Sequence, residues 1–180
     1  MSTSLLEQVI RLENQDELHS VRLLILINTL TGRKNETSIF ITTLAKLDFI
    51  LRYPVVLERA LKLINVVKNA AIHEAERNSI ESEMLAFSYS PWSSDFRRLL
   101  VLLSARSLIT WRLDGRQIEL KLTSLGMKLN DELASRVEFS EILQQSKIIK
   151  TNFSTLSNAK LDSLLVSIIK YTTVNTKGGK

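Results

Sequence analysis

Apolar residues recur at the spacing of helical turns along most of this chain, and alternate strictly with polar ones in one short stretch. The residues Phe96, Leu99, Leu100 and Leu103 stand at i, i+3, i+4 and i+7, which predicts an amphipathic helix with that stripe turned to a core. Ser93 or Ser94 precedes it as a capping residue for the free amides of the first turn. The opposite face of this helix carries Arg97, Arg98, Val101, Ser104 and Ala105. From Ile109 the period becomes two, and the segment WRLDGRQIELKLT reads as a hairpin turning at Asp114-Gly115. That turn sets Leu113 opposite Arg116, Trp111 opposite Ile118 and Ile109 opposite Leu120. Ile109, Trp111, Leu113, Ile118 and Leu120 then share one face, and Thr110, Arg112, Gln117 and Glu119 the other. A second amphipathic helix follows over Leu125 to Arg136.

The remainder of the chain reads as helix. Leu5 to Leu12 predicts a short helix, Glu13 to Asp16 a polar break, and Glu17 to Leu30 a second helix. Its LLILI run is apolar on nearly every side, which suits a central buried element. Gly32 in the following TGRKNE loop is a candidate C-terminal cap. Thr37 or Ser38 starts a helix with the stripe Phe40, Leu44, Leu47 and Leu51, and Pro54 ends it and opens the next. That next helix keeps a helical period through Val56, Leu57, Ala60, Leu61, Ile64 and Val67, and is expected to reach about Glu76. Residues 77–92 fit either a helical turn or a strand. Phe139 to Ile149 and Lys160 to Tyr171 predict two last helices, ahead of a frayed tail.

Helix, hairpin with a two-residue turn, and helix between Pro91 and Ala134 is the order of a winged helix. The expected fold is therefore mostly α with a small β-hairpin: a winged-helix core with N-terminal helices and a C-terminal helical extension. Residues 1–136 would form the helical plus winged-helix domain, and 137–180 the extension. A content of 44% hydrophobic and 24% charged residues is ordinary for a globular protein and too apolar for disorder. The chain has no cysteine, no visible signal segment and no apolar run long enough to cross a bilayer. A cytoplasmic protein without membrane contact is the expectation. The net charge of +5 permits an acidic partner or nucleic acid, but the basic residues are scattered rather than gathered in a tail.

No pattern of catalytic chemistry emerges. His19 and His73 lack a spaced metal-ligating partner, no glycine-rich phosphate loop occurs, and no serine sits in a nucleophile elbow. Neither catalytic residues, metal nor cofactor are expected, so the chain reads as a non-enzyme. Asp48 and Arg52, at i and i+4, read as a surface ion pair and as docking candidates. As a DNA reader the exposed helix face is thin, because it holds no Asn or Gln to reach adenine and sets Val101 among its polar residues. Arg97, Arg98, Arg112, Arg116, Lys121 and Lys128 suit contact with DNA backbone, and Val101 and Ala105 suit a protein interface.

Two segments carry a family resemblance. LAKLDFILRYPVVLERAL, from Leu44 to Leu61, and PWSSDFRRLLVLLSARSLI, from Pro91 to Ile109, resemble the middle component of bacterial ABC-three-component systems. They look most like the small subunit of Lamassu-type antiviral defence complexes. The motifs are a leucine-aspartate-aromatic run before a proline and a Pro-Trp entry to the winged helix. Ser107 departs from the pattern, which has glycine before the Leu-Ile pair. The resemblance implies an accessory subunit that bridges an SMC- or Rad50-like ATPase and a nuclease-type effector. Non-specific contact of the complex with double-stranded DNA is implied too. The alternative is a dimeric winged-helix transcriptional regulator that uses Lys160 to Tyr171 for dimerisation.

Overall fold

A computed structural model describes residues 5–32, 37–66 and 93–175, with side chains between residues 16 and 169 of those stretches. The expectations for residues 67–92, for the TGRKNE loop beyond Gly32 and for the last five residues lie outside them. Helix α1 (Leu5–Thr31) is followed by the two-residue strand β1 (Ile39–Phe40) and helices α2 (Ile41–Arg52) and α3 (Pro54–Leu63). Next come helix α4 (Ser94–Ala105), strands β2 (Ile109–Asp114) and β3 (Gln117–Leu122), and helix α5 (Ser124–Ala134). A 3-10 turn (Val137–Phe139) leads to α6 (Ser140–Phe153) and α7 (Asn158–Asn175). The protein is mostly helical, with one small antiparallel sheet in the order β1–β3–β2.

Helix α1 runs through the middle of the molecule, with Leu23 to Ile27 buried in succession. It packs against α4, α5, α6 and β3, so the LLILI run is apolar all round because it has neighbours all round. No break divides α1 at Glu13 to Asp16. Those residues are polar, but none is Gly or Pro, and nothing in them prevents a helix from continuing. Gly32 (φ +81°) ends α1, its N–H reaching the Asn28 carbonyl. The second correction is at residues 39–40, expected as the start of a helix. Ile39 pairs with Leu120 and Phe40 with Glu119, adding a third strand to the hairpin.

Helix α3 stops at Leu63, well short of Glu76. Asn65 has φ +57°, its N–H reaches the Lys62 carbonyl, and the Val66 N–H reaches that of Leu61. This is a Schellman stop, in which a left-handed residue satisfies the last carbonyls. Helix α4 ends the same way. Ser107 has φ +57°, with Ser107 N–H on Ser104 O and Leu108 N–H on Leu103 O. Serine thus holds a conformation that costs a residue with a Cβ about 1–2 kcal/mol, and its side chain is exposed. Ser107→Gly is expected to raise stability by about 0.5–1 kcal/mol once the greater unfolded-state entropy of glycine is set against the strain. A urea midpoint at or below that of the parent would contradict this.

The hairpin forms with a turn one residue later than expected. Asp114 pairs with Gln117, Leu113 with Ile118, Trp111 with Leu120 and Ile109 with Leu122, so Gly115 and Arg116 make the turn. Gly115 has φ +58°, and Arg116 is not among the positive-φ residues. A positive φ at the first central position alone belongs to a type II′ turn, which asks for glycine there. The expected register had both central residues left-handed, which would force Asp114 into that region. Moving the turn by one residue moves each partner by two, so the division of side chains between faces is unchanged.

One continuous core gathers α1 to α7 and the sheet, and α6 and α7 contribute Ile149, Phe153, Leu161, Leu165 and Ile168 to it. Polar ties hold these helices in place. Lys46 on α2 is buried, and its Nζ donates to Asp162 at 2.8 Å and to the Asn158 carbonyl at 3.2 Å. Lys150 donates to the Thr29 carbonyl at 2.7 Å.

Candidate docking site

Helix α4 begins at Ser93, whose Oγ accepts the Phe96 N–H at 3.2 Å, and the stripe Phe96, Leu99, Leu100 and Leu103 is buried as its spacing requires. That rotation leaves Arg97, Val101, Ser104 and Ala105 looking along the apolar face of the hairpin. Between them lies a groove of about 540 Å³. Its α4 wall is Arg97, Leu100, Val101, Ser104 and Ala105; its sheet wall is Ile109, Trp111, Ile118 and Leu120, with Ile41 beside them. Val101 is 64% exposed, Trp111 58% and, farther out on the same strand face, Leu113 73%. Large apolar side chains gathered in one open groove, rather than scattered singly, make it the candidate docking site. Along this face Ile109, Leu120 and Leu122 are buried at the base of the hairpin, while Trp111 and Leu113 toward its tip stay in water.

Among the described residues that line the groove there is no carboxylate. Side chains alternate along the strands, so Asp114 and Glu119 fall with Thr110, Arg112, Gln117 and Lys121 on the other face. There Arg112 Nε and Nη2 each lie 2.8 Å from Glu119 Oε2. A small cleft of about 170 Å³ is lined by Ser38, Thr110, Trp111, Arg112, Glu119 and Lys121. The Ser38 hydroxyl, and after it Arg112, hold the Glu119 carboxyl below its ordinary value. Arg98 is likewise engaged: it forms a two-pronged ion pair with Asp16 of α1 and lies 3.7 Å from Asp95.

These placements divide the backbone-contact candidates among separate surfaces. Arg97 is exposed in the groove and Arg116 at the turn, and among the described residues neither forms an ion pair. Arg98 and Arg112 are spoken for. Lys121 lies on the opposite sheet face and Lys128 is exposed on α5. Val101 and Ala105, the docking candidates on α4, do come together, and Trp111, Ile118 and Leu100 join them unforeseen. The signal available was the continuous apolar face of the hairpin.

Asp48 and Arg52 are not a surface pair. Asp48 is 3% exposed and its Oδ1 receives Arg22 Nε at 3.3 Å, across from α1. Arg52 stacks its guanidinium 5.8 Å from the Tyr53 ring and leaves Nε buried without a partner. Asp48 is out of reach of any docking protein. Arg22, 8% exposed, also donates Nη1 to His19 Nδ1, which therefore accepts and carries its proton elsewhere. Burial, then the charges of Arg22 and Arg52, lower the His19 pKa to about 4, against weaker opposing pulls from Asp16 and Asp95.

Because the folded protein holds His19 neutral while the unfolded chain takes up a proton below about 6.5, acid favours unfolding. Stability is expected to be intact above pH 6.5 and to decline as pH falls from there toward about 4. His19→Gln should flatten that part of the melting-temperature profile. An unchanged profile would remove His19 as its source.

Among the described residues no three His, Asp or Glu side chains gather as a metal set, and no helix is long and apolar enough to cross a membrane. No protein-family model, curated protein or solved structure matches the chain.

Proposed function

We propose that this chain is a non-catalytic accessory subunit built on a winged-helix module, and that it works by docking. The observation that carries the reading is the open apolar groove between α4 and the hairpin, with Val101, Trp111 and Leu113 in water. The sheet order β1–β3–β2, with a short first strand between helices and a hairpin after α4, suits a winged helix in which α4 takes the recognition position. A duplex-reading helix presents polar and basic side chains to base edges and phosphates. Here α4 presents Val101 and Ala105, and two of the four arginines expected to touch DNA are tied to carboxylates within the chain.

The resemblance of Leu44 to Leu61 and Pro91 to Ile109 to the small subunit of Lamassu-type systems gives the docking a setting. In that setting the subunit bridges an SMC- or Rad50-like ATPase and a nuclease-type effector in antiviral defence, and touches DNA only weakly. The regulator alternative needs α7 for dimerisation, yet the stripe Leu161, Leu165 and Ile168 is used up in this chain's own core.

The test is co-expression of the tagged chain with its genomic neighbours. A long coiled-coil ATPase should co-purify, and its absence from the eluate would overturn the subunit reading. The isolated chain should bind duplex DNA only in the non-specific range of about 10⁻⁴–10⁻⁶ M at physiological salt. If Arg97 and Arg116, which form no ion pair among the described residues, supply the phosphate contacts, the slope of log affinity against log salt should be near −2. Nanomolar binding to a palindrome would favour the regulator instead.

A further inference from the structure

We infer that the groove between α4 and the hairpin is the seat of an acidic amphipathic helix supplied by a partner protein. The inference rests on the docking reading above and names what is docked. Apolar side chains dominate the described lining of the groove, and an occupant lying between α4 and the sheet face would cover Val101 and Trp111 together and continue toward Leu113 on the same strand face. A helix does this with apolar side chains at i, i+3, i+4 and i+7, the usual manner of helix-in-groove recognition. A strand added to the free β2 edge would extend in the plane of the sheet, whereas Val101 faces that plane from α4.

Charge selects the flanks of that helix. Arg97 lines the groove and Arg116 stands at the hairpin turn; among the described residues neither forms an ion pair and no carboxylate lines the groove. Glutamates or aspartates beside the apolar stripe would meet these two cations, and lysines would be repelled. A second copy of this chain is a poor occupant. An isologous contact through the groove would bring two Arg97-bearing grooves together with no carboxylate from the described lining of either to meet them. Nucleic acid is a poor occupant too, because phosphates would have to displace water from around Val101, Leu100 and Ile118, with Arg97 and Ser104 the donors that the described lining offers in return.

The test uses the full chain carrying Trp92→Phe, so that tryptophan emission reports on Trp111 alone. Two synthetic probe peptides are titrated in, each of about 18 residues, or roughly five helical turns, with leucines along one stripe. One has glutamates beside the stripe, and the other has lysines in their place. The acidic probe is expected to shift the emission and to bind about tenfold or more tightly than the lysine probe, with affinity falling as salt rises. Val101→Asp, on an exposed helix position whose folding is checked by circular dichroism, should weaken the acidic probe by a similar factor.

Equal affinity for both probes, no binding of either, binding unaffected by Val101→Asp, or a preference for an oligonucleotide overturns the inference. So does concentration-dependent dimerisation through the groove that Val101→Asp abolishes. The two readings fail separately. An ATPase that co-purifies with Val101→Asp at the parental level, with no binding of the acidic probe, removes the groove and leaves the subunit. Binding of the acidic probe with no ATPase in the eluate does the reverse.

Discussion

Asp48→Ala is expected to lower folding stability by about 3–5 kcal/mol, a large part of the roughly 5–15 kcal/mol that a domain possesses. The carboxylate sits 3% exposed between α1 and α2, with Arg22 Nε at 3.3 Å, and Arg22 is itself 8% exposed. Removing the carboxylate leaves a guanidinium in the interior whose Nη2 already lacks a partner, near the further positive charge of Arg52. The loss comes from this uncompensated charge more than from the ion pair as such, because burying both ions costs nearly what their attraction returns. Arg22→Met added to Asp48→Ala should therefore restore most of the stability. Urea midpoints of the parent, the single variant and the double variant measure it. A single-variant loss below about 1 kcal/mol, the range of an exposed pair, would mean that Asp48 is not buried against Arg22.

The same residue shows what a sequence pattern conveys and where it stops. Asp48 and Arg52 stand at helical spacing, and at the level of one helix they look like a surface pair. What decides otherwise is α1, which brings Arg22 across the α2 face from 26 residues away. Periodicity reports which face of a helix is apolar, not which polar residue on its border will be covered. Where local chemistry is decisive, the reading was close. The stripe from Phe96 to Leu103, the Ser93 cap, the proline that opens α3 and the two faces of the hairpin all follow from residues in immediate contact. The order of helix, hairpin and helix was read from the same local signals, although β1 was invisible. Two residues in a strand carry no period, and only pairing with Leu120 and Glu119 makes Ile39 and Phe40 extended.

The candidate site was legible in a different way. Val101 stood out as an apolar residue on a polar face, which is a local fact. Trp111 did not stand out, since an aromatic on the apolar face of a hairpin is ordinarily core. Its exposure follows from its place on β2, the outer strand of the sheet, outward of the buried Ile109, and that place emerges only when the sheet is assembled. The backbone-contact candidates illustrate a related point. Arg98 and Arg112 are matched by Asp16 and Glu119 from other elements, so counting arginines overstated the free positive charge.

Gly126→Ala is the change expected to be most damaging on the other side of the molecule, with the sign set by a contact and not by helix propensity. In an exposed helix, alanine in place of glycine adds about 1 kcal/mol of stability. Gly126 lies in the first turn of α5, under Thr123, whose Oγ1 accepts its N–H at 3.0 Å. A Cβ there would stand 2.1 Å from the Leu108 carbonyl oxygen. That oxygen belongs to backbone that cannot step aside. It accepts the Thr123 N–H at 3.0 Å, and the Leu108 N–H closes the Schellman stop of α4 on the Leu103 carbonyl. Forcing the contact open should cost about 3 kcal/mol, at the upper end for overpacking, and lower the melting temperature by roughly 6–12 °C.

The effect should reach the groove, because Leu108 is followed directly by Ile109 on its sheet wall. Trp111 emission and affinity for an acidic probe helix should change at temperatures where the variant is still folded. Gly115→Ala separates the two ways a glycine can matter. Its φ of +58° strains a Cβ, but nothing lies within 4 Å of one, so the cost should stay near 1–2 kcal/mol. A Gly126→Ala variant that melts at or above the parent would mean that α5 does not rest on Leu108. The groove would then owe its shape to α4 and the hairpin alone.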